Sequence, residues 1–401
     1  MLVAEAARPP EVLADGYKMQ GVFRFVLALM VLWSHSTLVF IPELSGWLPQ
    51  LQLGNVAVSV FFVLSGYLMA EAVANWYSLR SFSFIINRYL RIGPPLLVAA
   101  VVSIVVHFAI LHIGTAGVRL ESIPEGAISY ENAVLSLLAP LFPLDSRIAK
   151  LFGITPEPYY QFVRYSWAIF TEMIFYWALF LHSLCARFVG TRSAGTVFLL
   201  AAFGMFAVGT LNYGGFLRGS QWGDLAARIP LVFHMQWAPH FLLGVMISYY
   251  GCEGSRRPLL LAILFAAGAM ACVQLGVYAG PNMSGASLVV GLYVLTLLAG
   301  FLVILGGRQE YSVGRFRLTR RHDRTVGNLS YPIYINHYAL ALAIINAIYI
   351  AGLDIPNLSW MVRSVAFILF NVIIIVCAAF LIRLTDALTD GLRDHFRGVA
   401  L

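Results

Sequence analysis

The chain has 401 residues, of which 60% are hydrophobic and only 11% charged, with a formal net charge of +7. Soluble domains carry about 25% Asp, Glu, Lys and Arg, so the composition excludes a soluble enzyme or binding module and indicates a polytopic membrane protein. The positive charge does not call for nucleic acid, because membrane proteins keep Lys and Arg at their cytoplasmic edges.

The first apolar run, GVFRFVLALMVLWSHSTLVFI at 21–41, is too long for a cleavable signal and no small-residue cleavage site follows it. Its two strongly polar side chains are Arg24 and His35. At about 100° per residue, eleven residues return to within about 20° of the same helix face, about 16 Å further along the axis. Taken singly, Arg24 reads as a flanking cation and His35 as a buried structural histidine. Sharing one stripe, they read as a functional line, since ionisable groups inside a span are costly. Further spans of about 20 residues are predicted near 54–74, 92–112, 165–186, 195–213, 229–250, 258–277, 285–306, 326–351 and 361–383. With the first, that makes about ten, in an all-α fold forming one membrane domain with no separate soluble domain.

Charge orients these spans. With the N-terminus in the cytoplasm, the inner loops 75–91, 187–194, 251–257 and 307–325 hold three, two, two and six Lys or Arg residues. The short outer loops hold only Arg218 and Arg228. This asymmetry is a strong positive-inside signal, and an even number of spans returns the C-terminus to the cytoplasm. The long outer segment 113–164 carries apolar patches such as AVLSLLAPLF at 133–142. They point to a partly folded cap on the membrane, because loops this long are functional or disordered. Cys185, Cys252, Cys272 and Cys377 lie in spans or on the cytoplasmic side, so no disulfide framework is expected.

Several other motifs carry polar groups. In NVAVSVFFVLSGYLM at 55–69, Ser65 and Gly66 read first as close helix packing and second as backbone exposed beside a ligand. In NRYLRIGPP at 87–95, Arg88 and Arg91 share a helical face just before a Pro-Pro break. They form either a positive-inside cluster or a phosphate clamp. Glu172, in RYSWAIFTEMIFYW at 164–177, is a carboxylate about two turns into a span. His337, in LSYPIYINHYALAL at 329–342, lies at a depth similar to that of His35, with Asn336 beside it. His107 and His112 diverge on their helix, as do His234 and His240, and no spacing builds a metal site. No P-loop or dinucleotide fingerprint is present.

Taken together and in this order, Arg24-x10-His35, FFVLSGYL at 61–68, NRYLRIGPP, SWAIFTEMIFY at 166–176 and LSYPIYINH at 329–337 resemble the acyltransferase-3 family of bacterial membrane O-acyltransferases. The resemblance runs from about residue 17 to about 385. It departs from the family where a paired basic start to the third motif is replaced by Asn87-Arg88. It implies a multi-pass protein of the bacterial cytoplasmic membrane that moves an acyl group, most often acetyl from acetyl-CoA, to a hydroxyl of a glycan, glycolipid or glycosylated small molecule. Arg24, Arg88, Arg91, Ser65 and Gly66 are then expected at the acyl-CoA donor, with Arg24 also counted among the catalytic residues. His35 is expected as general base, or as the residue acylated in a covalent route. Glu172 is expected to orient its imidazole. His337, Asn336 and Trp167 are expected at the acceptor, His337 alternatively at the oxyanion. The competing readings are a transporter or flippase, which inverted repeats would favour, and a non-catalytic subunit of a polysaccharide assembly system.

Overall fold

The computed structural model describes residues 19–46, 48–75, 77, 80–113, 123–141, 160–189, 237–251, 283–306, 311–313 and 316–397, with 153, 158 and 234 as single residues. The helices in chain order are α1 (Gly21–Phe40), α2 (Leu53–Asn75), α3 (Ser81–Ile113), α4 (Tyr130–Leu138), α5 (Trp167–Val189), α6 (Ala238–Gly251), α7 (Met283–Gly306), α8 (Arg320–Asn328), α9 (Ser330–Ile350) and α10 (Trp360–Arg397). Among the described residues, five helical segments are long and apolar enough to cross a membrane, and the apolar stretches Gly21–Thr37 and Leu288–Gly300 are shorter. The predicted spans 195–213 and 258–277 lie outside the described residues.

The expectation of an all-helical chain needs one amendment. The basic 307–325 stretch is not a plain loop: β1 (Tyr311–Val313) pairs antiparallel with β2 (Phe316–Leu318), Ser312 opposite Arg317, and α8 follows. Thr319 caps α8 by accepting from the His322 amide at 3.3 Å. The α8 helix then does for α1 what the local sequence cannot. Gln20 makes no side-chain cap, so the first amides of α1 lack partners. Asp323, buried on α8, accepts from Gly21 N at 2.7 Å and Val22 N at 2.9 Å. The approach is so close that a Cβ on Gly327 would lie 2.4 Å from the Gly21 Cα.

A second amendment concerns the Pro-Pro pair. α3 runs unbroken through Pro94 and Pro95 and starts at Ser81, within what reads as an inner loop. Each proline removes one bond to the carbonyl four residues back, those of Leu90 and Arg91. One residue further on, Tyr331 of α9 donates to the Ile92 carbonyl at 3.0 Å. Membrane helices tolerate proline where neighbouring groups and local adjustments accommodate the freed carbonyls, and this contact packs α9 against the same turn.

α2 is the most buried of the five long apolar segments and α10 the least. α2 packs against α6 and α1, while α9 packs against α1, α3 and α10. Apolar side chains on α3 (Leu97, Val101, Val105) and α10 (Val365, Ile368, Val372, Val376) stay exposed, as lipid-facing surface does. In the long 113–164 segment, α4 is capped by Ser129, which accepts from Asn132 N at 3.2 Å. Ala127, Ala133, Tyr160 and Phe162 form a small core there, so the described part of this segment is folded rather than a free linker.

Candidate active site

α1 delivers its two polar side chains to two different compartments. Arg24, near its N-terminus, lines a pocket together with Ser65 of α2, Arg91 of α3, Glu172 and Tyr176 of α5, and Tyr331 and Tyr334 of α9. Eleven residues on, the His35 ring lies 4.1 Å from that of Tyr165 and 5.3 Å from that of His337, centroid to centroid. Tyr165 and His337 stack at 5.0 Å, so the three rings form one cluster. The matching depths of His35 and His337 are thus a direct contact between helices some 300 residues apart in sequence.

Tyr334 divides the compartments. Its ring lines the Arg24 pocket and lies 6.1 Å from the His337 ring. Its hydroxyl donates to the Tyr165 carbonyl at 2.8 Å, and its own carbonyl accepts from His337 Nδ1 at 2.6 Å.

Glu172 belongs to the pocket. Ser65 Oγ and Tyr176 OH both donate to its Oε1. Among the described residues no hydrogen bond or ion pair joins Glu172 to His35, so an orienting role for Glu172 on that imidazole has no geometric support. Depth along a span says nothing about which way a side chain turns.

The expected donor residues separate similarly. Arg91 lines the pocket. Arg88 is buried with its guanidinium carbon 5.6 Å above the Phe84 ring. Asn87, at the position where the family pattern is basic, donates to the Arg393 carbonyl of α10 at 2.8 Å and so ties that helix to α3. Ser65 is a pocket residue, whereas Gly66 is not exposed beside a ligand. A Cβ at Gly66 would lie 1.9 Å from the Phe241 carbonyl oxygen, and one at Gly244 would lie 1.9 Å from that of Val63. The two glycines let α2 and α6 cross backbone to backbone.

On the acceptor side, Asn336 Nδ2 donates to Pro332 O at 3.0 Å within α9. The Trp167 ring packs on Trp237 at 5.2 Å. For His337, a carbonyl oxygen facing Nδ1 assigns the imidazole proton to that nitrogen. In the neutral imidazole Nε2 is then a lone pair, which suits acceptor binding and cannot donate to an oxyanion.

Sequence reasoning passed over His107. It is buried in α3, with Nδ1 2.6 Å from the Ser103 carbonyl and Nε2 2.9 Å from Tyr160 OH, which lies 3.2 Å from Tyr338 OH. This run fastens the end of the 113–164 segment to the residue after His337. Burial pushes the Tyr160 phenol well above its ordinary range, so it stays a protonated donor to His107. The available signal was the histidine's depth in an apolar span; its spacing to His112 was the wrong test, because its partner is a tyrosine 53 residues away.

Comparison with known proteins gives a family. The model of the acyltransferase-3 family, described as an acyltransferase domain, matches residues 21–382, nearly the whole chain. No curated protein and no solved structure matches it. The match takes in both compartments, from Arg24 to His337, and the chain belongs to the acyltransferase-3 family of membrane acyltransferases.

Proposed function

We propose that the protein is an O-acyltransferase of the bacterial inner membrane that moves an acyl group, acetyl first among them, from cytoplasmic acyl-CoA to a hydroxyl of a glycan, glycolipid or glycosylated small molecule on the outer side. The observation that carries this reading is the shared helix: α1 holds Arg24 in a pocket with a second arginine and holds His35 against His337 beyond the Tyr334 wall. A guanidinium pair suits the phosphates of a CoA donor, and its slender thioester arm suits a passage between helices. The positive-inside asymmetry supports a cytoplasmic donor and an outer acceptor.

In this scheme Arg24 and Arg91 hold the donor, while Glu172, engaged by Ser65 and Tyr176, shapes the pocket the thioester arm follows. His35 takes the proton of the acceptor hydroxyl as its oxygen attacks the thioester carbonyl. The C–S bond breaks, the new ester C–O bond remains, and the proton passes from His35 to the departing CoA sulfur. A positioned imidazole contributes about 10²–10⁴-fold to such a step.

The test is transfer of labelled acetyl from acetyl-CoA to host surface glycans in membranes, comparing wild type with His35→Ala. Loss of labelling by about 10²-fold or more in folded His35→Ala is expected. Full labelling by that variant overturns the assignment of His35, and absence of transfer by wild type overturns the reaction class.

A further inference from the structure

Two consecutive side chains on α9 spend their donors on their own helix. Asn336 Nδ2 donates to Pro332 O at 3.0 Å, and His337 Nδ1 to Tyr334 O at 2.6 Å. A carbonyl carries no proton, so these assignments are forced. With the imidazole neutral, what remains on each side chain is a bare acceptor, Asn336 Oδ1 and His337 Nε2. The residues are 1% and 2% exposed, and neither atom has a partner among the described residues. Buried acceptors are nearly always satisfied, and one left empty is a standing cost that a ligand's donor removes.

Position says which donor. The His35 and His337 rings lie 5.3 Å apart and within 21° of parallel, so groups binding at the two imidazoles are neighbours. The reacting hydroxyl goes to His35. A second group beside it that meets His337 Nε2 has to be a hydrogen-bond donor. A simple alcohol has only the one O–H and leaves Nε2 empty. Adjacent hydroxyls on a ring supply both. We infer that His337 Nε2 receives a second hydroxyl of the acceptor, next to the one acylated, and that the acceptor is therefore recognised as a vicinal diol of a sugar ring. The inference rests on the acyltransferase reading and narrows its acceptor. Of the three clustered rings only Tyr165 comes from a turn rather than a helix, so it is the side of the cluster that can yield to an incoming sugar.

Periodate cleaves vicinal diols and leaves isolated hydroxyls. Labelled acetyl transfer is measured with wild-type protein in membranes, on host surface glycans either untreated or oxidised with periodate and reduced with borohydride. A site that hydrogen-bonds a substrate hydroxyl strongly rejects the analogue lacking it, so labelling should fall by about 100-fold or more after treatment. His337→Leu should lose labelling of untreated glycan by a similar factor while binding acetyl-CoA within about twofold of wild type, and His337→Gln, which restores an acceptor oxygen, should recover part of it. Equal labelling of treated and untreated glycan by wild type overturns the diol and leaves the acyltransferase standing. Labelling of neither, by folded protein that binds acetyl-CoA, overturns transfer to glycans and the inference with it.

Discussion

Gly66→Ala separates two accounts of the same residue, helix packing and donor contact. The added methyl would sit 1.9 Å from the Phe241 carbonyl oxygen and 2.8 Å from its carbon. Real Cβ atoms essentially never approach closer than 3.0 Å, so α2 and α6 must part by about 1.1 Å. The obstacle is backbone, which cannot rotate aside as a side chain would. Forced overpacking of this kind costs about 1–3 kcal/mol, or about 5- to 150-fold in the folded-to-unfolded ratio, and the upper half is expected here. Unfolding in mixed micelles titrated with SDS reads the loss, and titration with acetyl-CoA reads the donor site. Gly66→Ala should unfold at distinctly lower SDS while its surviving folded fraction binds acetyl-CoA within about twofold of wild type. Unchanged stability with donor affinity reduced tenfold would refute the reasoning, because the Gly66 backbone would then face the ligand and not Phe241.

Two further perturbations test the frame around the site. Arg363 grips Glu43 through both terminal nitrogens, Nη1 to Oε2 at 3.2 Å and Nη2 to Oε1, and this hydrogen bonding holds the Glu43 carboxyl below its ordinary range. A lowered folded-state value means the tether contributes above the unfolded carboxylate value and is lost as pH falls through the folded one. The melting temperature of wild type should therefore drop more than that of Glu43→Gln between pH 7 and the acid side of the carboxylate range, and parallel curves would show that the pair adds nothing. Asp323→Ala strips the Gly21 and Val22 amides of their acceptor and should cost about 1–2 kcal/mol in the same SDS titration, whereas Asp323→Asn, which keeps one acceptor oxygen, should cost less. An unchanged midpoint for Asp323→Ala would remove α8 as the cap of α1.

Much of this protein is legible in its sequence, because the bilayer imposes lengths and the helix imposes a period. Apolar runs locate the long apolar helices at α2, α3, α5, α9 and α10 and the shorter apolar helix α1, and the 3.6-residue repeat puts Arg24 and His35 on one stripe. The motifs from Arg24 to His337 give the family. What the sequence leaves open is how each helix is turned toward the others. A span that is apolar on all sides carries no stripe marking its inner face, and in lipid the rotation is settled by close packing and a few interhelical hydrogen bonds. Only the tertiary structure could therefore bring His337 to His35, turn Glu172 to Ser65 and Tyr176 instead, set Gly66 against the Phe241 backbone, and join His107 to Tyr160. The capping of α1 by Asp323 has the same origin. There, backbone amides that local sequence leaves unsatisfied are met by a neighbouring helix, whose position no local pattern encodes.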